Sequence, residues 1–167
     1  MPARRQLFTF GYEGLDIDAF IARLRADAVE TVMDVRQLPL SRKKGFSKSA
    51  LGAALQHAGI AYLHVSALGC PRPIRDRYKR DGDWAAYTES FLGYLETQEA
   101  PLRDLAALAG DSTVCLMCFE ADFTRCHRSF VARAAARLGA SEVWHLARNA
   151  KAAVPDQGPG EMDRAGS

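Results

Sequence analysis

Five short apolar runs alternate with helical stripes along this chain, and that alternation limits the folds open to it. The runs are QLFTFGY (6–12), VETVMDV (29–35), IAYLHV (60–65), STVCLMCF (112–119) and EVWHLA (142–147). After the first, Ile17, Phe20, Ile21 and Leu24 recur at helical spacing behind Asp16, a good N-cap residue. After the second, Ser47 can cap a helix with the stripe Leu51, Ala54, Leu55 and Ala58, ended by Gly59. Asp83 can cap another, with Trp84, Tyr87, Phe91 and Leu95 on one face. A shorter helix is predicted over 101–109 and a last one from Arg125 to Leu138. Residues 66–82, with two prolines and Cys70, read as a long loop.

The predicted order is β-α-β-α-β-α-α-β-α-β. Strands alternating with helices imply an α/β domain of three layers, with a predominantly parallel sheet of about five strands and helices on both faces. STVCLMCF is the most apolar run and suits a central strand. One domain is expected over residues 1–148. Residues 149–167, rich in Gly, Pro and small polar residues, read as a disordered tail.

Composition narrows the class further. Hydrophobic residues make up 48% and charged residues 25% of 167 positions, as in a globular domain with a sizeable core. No apolar run approaches the ~20 residues of a membrane span. The segment MPARRQLFTFGY shows no apolar signal sequence, so a cytoplasmic location and no membrane partner are expected. Four cysteines in such a chain are expected to be free, catalytic or metal-bound rather than disulfide-paired.

Charge is uneven. Residues 36–48 carry five cations and no acid, and residues 72–80 carry five cations and one acid. Together they hold a net +9, against +2 for the whole chain. Such asymmetry points to an anionic partner, or to two solvated loops.

Right-handed crossovers bring the C-terminal ends of the parallel strands to one edge, where ligands bind in such sheets. That edge receives Gly11-Tyr12-Glu13-Gly14, Asp34-Val35-Arg36 with the basic loop, His64, and the stretch CFEADFTRCHRS (118–129). The chain resembles the domain of unknown function 488 family. The resemblance lies in Thr9-Phe10-Gly11-Tyr12, Asp34-Val35-Arg36, Pro39 with Ser41-Arg42, Gly45-Phe46, Leu68-Gly69, Cys118 with Glu120, and Cys126-His127-Arg128. The usual family member has His where this chain has Tyr12. The resemblance implies an α/β fold and this set of positions, Ser41 among them, without a reaction.

The 118–129 stretch supports three readings. Cys118, Cys126 and His127 are possible metal ligands, with Glu120 or His64 as a fourth. Adjacent helical residues point about 100° apart, which makes joint ligation by Cys126 and His127 awkward. Cys115 and Cys118 spell CxxC, but on a strand they point to opposite faces. In a thiol reading, Cys126 lies at a helix start, where free N–H groups stabilise a thiolate; Cys118 is nucleophile or resolving partner. In an anion reading, Arg36, Arg42 and Arg128 hold a phosphate group. Against these, both cysteines could be buried packing residues, and Arg128 could pair with Glu120 or Asp34 to hold the loop shut. Asp34 and Glu120 are acid–base candidates or salt-bridge partners. Tyr12 and Phe46 could stack a base.

The expected function is an enzyme or ligand-binding domain acting on a phosphate-bearing small molecule or nucleic acid. Asp34, Glu120, Cys118, Cys126 and His127 are its catalytic candidates. Tyr12, Arg36, Ser41, Arg42 and Arg128 are its anion-binding candidates. The alternatives are a non-catalytic nucleic-acid-binding module, and a metal-binding or thiol-redox protein built on Cys118, Cys126 and His127. No cofactor is implied beyond that possible metal.

Overall fold

The computed structural model describes residues 5–139, 141–147 and 152–157. The first βα unit is β1 (Gln6–Gly11) and α1 (Ile17–Ala26), and the Asp16 carboxylate caps α1 by accepting from Ala19 N–H at 2.8 Å. Next come β2 (Thr31–Asp34), α2 (Lys48–His57) and β3 (Ala61–His64). Gly59 follows α2 at φ +79°, a conformation that suits glycine. Three helices then lie in series: α3 (Arg72–Asp81), α4 (Trp84–Glu96) and α5 (Glu99–Asp111). The chain returns through β4 (Val114–Cys118), α6 (His127–Gly139) and β5 (Glu142–Leu146), and a short β6 (Val154–Pro155) completes it.

The sheet order is β3-β2-β4-β1-β5-β6. Strands β1 to β5 are parallel, and β6 runs antiparallel to β5. β4 lies between β2 and β1, and all five of its residues are buried. Alternation along it serves two cores, as a period of two requires. Val114 and Leu116 pack with Phe91, Leu105 and Val131 from α4, α5 and α6. Cys115 and Met117 pack with Phe20, Leu24, Leu51 and Leu55 from α1 and α2. The expected three-layer α/β architecture is therefore present. Phe20 and Phe91 are fully buried, each worth about 1.5–3 kcal/mol of transfer free energy.

The topology selects one crevice. β1 and β4 are neighbours, yet α1 and α6 leave them toward opposite faces of the sheet. Such a divergence at the C-terminal edge is where α/β sheets open a ligand crevice. Both sides of this opening carry chemistry, with Tyr12 after β1 and Cys118 to Arg128 after β4.

Three expectations change. Residues 66–82 are a 3-10 turn followed by α3, not a loop. Pro71 sits at the N-cap and Pro73 in the first turn, positions that start helices rather than break them. α5 is longer than 101–109. The sheet has six strands, because Val154–Pro155 pairs with Trp144 and His145, so part of the expected disordered tail is ordered. The cause is the following residue. Asp156 accepts from Arg133 Nη2 at 2.9 Å and from His145 Nε2 at 2.8 Å. Burial opposes the charge of Asp156, but these bonds from His145 and Arg133 hold its carboxyl far below the usual range. The rest of the predicted tail lies outside the described residues. No described helix is long and apolar enough to cross a membrane.

Candidate functional site

Beside the β1–β4 crevice lies a cleft of about 720 Å³. Its wall includes Cys118, Glu120, Cys126 and His127 from the β4–α6 segment, Arg36 and Arg42 from the basic loop, and Arg75 and Lys79 from α3.

The two cysteines meet there. Cys118 Sγ and Cys126 Sγ are 2.7 Å apart, and both approach Glu120 Oε2, at 3.4 and 3.5 Å. Both cysteines are free and almost wholly covered. Cys115 lies on the opposite face of β4 in the other core, so the CxxC spelling brings no pair together. His127 Nε2 donates to the Val35 carbonyl at 2.7 Å. A carbonyl only accepts, so this bond fixes the proton on Nε2 and turns Nδ1 toward Cys126 Sγ, 3.9 Å away. Arg128 is fully buried. Its Nη1 donates to Cys118 Sγ at 3.2 Å and to the Glu120 carbonyl at 2.5 Å, and Nη2 reaches the Ala121 carbonyl at 3.4 Å.

Gly11 makes this seat possible. A Cβ there would lie 1.8 Å from the Glu120 carbonyl oxygen, the same atom that Arg128 holds. The β1 glycine thus lets the β4 loop fold close enough for Arg128 to grip it.

The electrostatics separate the two thiols. Burial opposes ionisation of Cys126, but the bond from Cys118 and the charges of Arg128 and His127 hold its thiol well below the ordinary range. Burial and the neighbouring Cys126 push Cys118 well up. Burial would lower His127, but Cys126 raises it on balance. Both shifts run in the direction that favours a thiolate at Cys126 and a protonated ring at His127. Burial raises the Glu120 carboxyl, with the Cys126 charge adding to it.

This separation sets a pH dependence. Small alkylating reagents should modify Cys126 first, from a pH well below that of an ordinary thiol. Burial raises Cys115 far, and Cys70 to about 11, so both should stay unmodified at neutral pH. Mass-spectrometric mapping of iodoacetamide labelling across pH measures this directly. His127→Gln removes a cation beside the thiolate and should move the Cys126 profile to higher pH. Uniform labelling of all four thiols would show that no such bias exists.

The remaining candidates fall into two groups. Asp34 is fully buried and accepts four bonds: Arg36 Nε at 2.9 Å, Arg36 Nη2 at 2.7 Å, the Arg36 backbone N–H at 3.1 Å and Tyr62 O–H at 2.6 Å. Arg36 Nη1 donates to Tyr12 Oη at 3.2 Å. His64 Nε2 donates to the Arg36 carbonyl at 2.8 Å. Burial works against the Arg36 charge, but Asp34 raises its pKa on balance. This network positions the β2 end and occupies its own donors and acceptors. Tyr12 and Phe46 stack on each other, 4.2 Å between centroids, and both are buried, so neither offers a free face to a base. Ser41 shapes the basic loop, its Oγ accepting from Lys43 N–H at 3.0 Å. Arg42 is exposed, lines the cleft and forms no ion pair among the described residues.

Arg75 and Lys79, from the basic run 72–80 but not named individually from the sequence, line the cleft with Arg125, which the sequence reading missed. Lys79 and Arg125 form no ion pair among the described residues, and Arg125 lies over the Trp84 ring at 5.6 Å. The signal for Arg75 and Lys79 was their i, i+4 spacing, which puts both on one face once residues 72–81 are helical. Cys118, Glu120 and Cys126 also offer three donor atoms within 4.8 Å of one another, enough to approach a metal ion. The guanidinium of Arg128 already supplies a positive charge at that point, which opposes a dication.

The fold is thus a mostly parallel α/β sheet that carries a cysteine pair and a cationic cleft at its C-terminal edge. Residues 16–135 match the family described as Domain of unknown function DUF488, and the chain belongs to it. No curated protein and no solved structure matches the chain.

Proposed function

We propose that this domain is an enzyme that turns the Cys126 thiolate on a phosphate-bearing substrate, a nucleotide or a nucleic acid, held in the cationic cleft. The observation that carries the reading is the Cys126–His127 pair opening onto a wall of Arg42, Arg75, Lys79 and Arg125. Among the described residues lining that wall, Glu120 is the single carboxylate. A phosphate meets Arg42, Lys79 and Arg125 there, while Arg75 holds Gln37 Oε1 at 2.7 Å and Arg36 and Arg128 stay engaged with protein partners. Cys126 supplies the electron pair, and the imidazolium of His127 delivers a proton to the leaving group through Nδ1. Four free cysteines and a working thiolate suit a reducing compartment, which favours the cytoplasm.

The test is direct titration with a fluorescent nucleoside triphosphate and a short single-stranded oligonucleotide. Alanine at Arg42 and Lys79 together is expected to weaken binding about tenfold or more, equivalent to ~1.4 kcal/mol or more, and to flatten the salt dependence. Cys126→Ser should leave that affinity in place. Unchanged affinity in the Arg42/Lys79 variant would remove the phosphate from this reading.

A further inference from the structure

The geometry points to a second activity at the same sulfurs: Cys126 and Cys118 form an attacking and resolving pair that reduces a hydroperoxide and closes a Cys118–Cys126 disulfide. The inference shares the Cys126 thiolate and the His127 proton with the reading above and needs no phosphate.

Three observations carry it. The two Sγ atoms are 2.7 Å apart, so they can join without moving the backbone far. Both line the cleft, so a small oxidant that enters it meets them together. Their surroundings are unequal, because His127 Nδ1 faces Cys126 whereas Arg128 Nη1 donates to Cys118. A pair used only for packing needs neither an oriented imidazole nor a buried guanidinium.

The steps balance. The Cys126 thiolate attacks the distal oxygen of the hydroperoxide, and the O–O bond breaks. The alkoxide or hydroxide leaves with the proton from His127 Nδ1, and Cys126 becomes a sulfenic acid. The Cys118 thiol then gives its proton to Glu120, whose Oε2 lies 3.4 Å away, and Arg128 stabilises the new thiolate. Cys118 attacks Cys126 Sγ, the S–O bond breaks, and the hydroxide leaves as water with that proton. Two thiols and one hydroperoxide yield a disulfide, an alcohol or water, and a further water. An external thiol reductant restores the pair by exchange.

The experiment uses reduced, full-length protein under anaerobic conditions, with metal content measured first. One equivalent of hydrogen peroxide is expected to remove one pair of the four free thiols, and peptide mapping should find Cys118 joined to Cys126. Dithiothreitol should restore all four. Cys118→Ser should accumulate a dimedone-reactive sulfenic acid at Cys126, and Cys126→Ser should consume no peroxide. Mapping the wild-type protein needs no variant to fold. Intact thiols after peroxide, a disulfide through Cys70, or stoichiometric zinc lost in Cys126→Ser would each overturn the proposal. Nucleotide titration and peroxide consumption, measured side by side on the reduced protein, separate the two readings. Binding that persists without peroxide consumption sinks the redox pair alone, and peroxide consumption without nucleotide binding sinks the phosphate alone.

Discussion

Arg128→Met is expected to destabilise the domain by about 3–6 kcal/mol, the loss of the two hydrogen bonds this charged group gives to backbone carbonyls, and to lower Tm by roughly 10 °C or more. Arg128 is fully buried, and its guanidinium ties the Glu120 carbonyl to the start of α6. Methionine fills much of the same space but leaves that carbonyl without its donor. The same substitution removes the cation beside Cys118 and Cys126, so Cys126 should titrate at higher pH and alkylate more slowly at neutral pH. Arg128→Lys should recover only part of the stability, because an ammonium keeps the charge but not the planar fork. Thermal denaturation and thiol labelling on the same samples check both halves. A methionine variant with wild-type Tm and wild-type labelling would show that the loop is held by something else.

Asp34→Asn is the second large effect. The Asp34–Arg36 pair is buried on both sides, and removing one partner of such a pair costs about 3–5 kcal/mol. Asparagine keeps the shape, but it sets an amide donor against the Tyr62 hydroxyl or the Arg36 guanidinium and leaves that cation unneutralised. Replacing both residues by leucine should cost less than the two single changes added together, a coupling that a double-mutant cycle reads directly. If Asp34→Asn instead kept its Tm and lost only turnover, Asp34 would be an acid–base group, as its position at the end of β2 first suggested. The four bonds it accepts favour the positioning role.

Much of the fold was legible because it rests on local chemistry. Asp16 caps α1 with the bond its side chain predicts, and Gly59 takes the positive φ that follows a helix. The strand alternation placed Cys115 and Cys118 on opposite faces correctly. The candidate site was legible as an edge, since parallel strands and right-handed crossovers gather loop residues without reference to contacts. Where the reading slipped, the cause was also physical. Two prolines hid α3, because a helix start and a loop use the same residue. Asp156 is unremarkable in sequence; it orders β6 only because Arg133 and His145 lie eleven or more positions away in the chain and adjacent in space.

By itself the sequence determined an α/β domain, the family, the edge on which the chemistry collects, and the residues gathered there. Only the tertiary structure divided those residues by role. Arginine at a strand end looks the same whether it greets a ligand or neutralises a neighbour. Packing turned Arg36 and Arg128 inward onto Asp34, a backbone carbonyl and a thiol, and left Arg42, Lys79 and Arg125 to face the cleft. Periodicity specifies which face a residue takes, but a partner's distance and a group's burial come from elements far apart in the chain. Those two quantities decide whether a charge is spent within the protein or offered to a substrate.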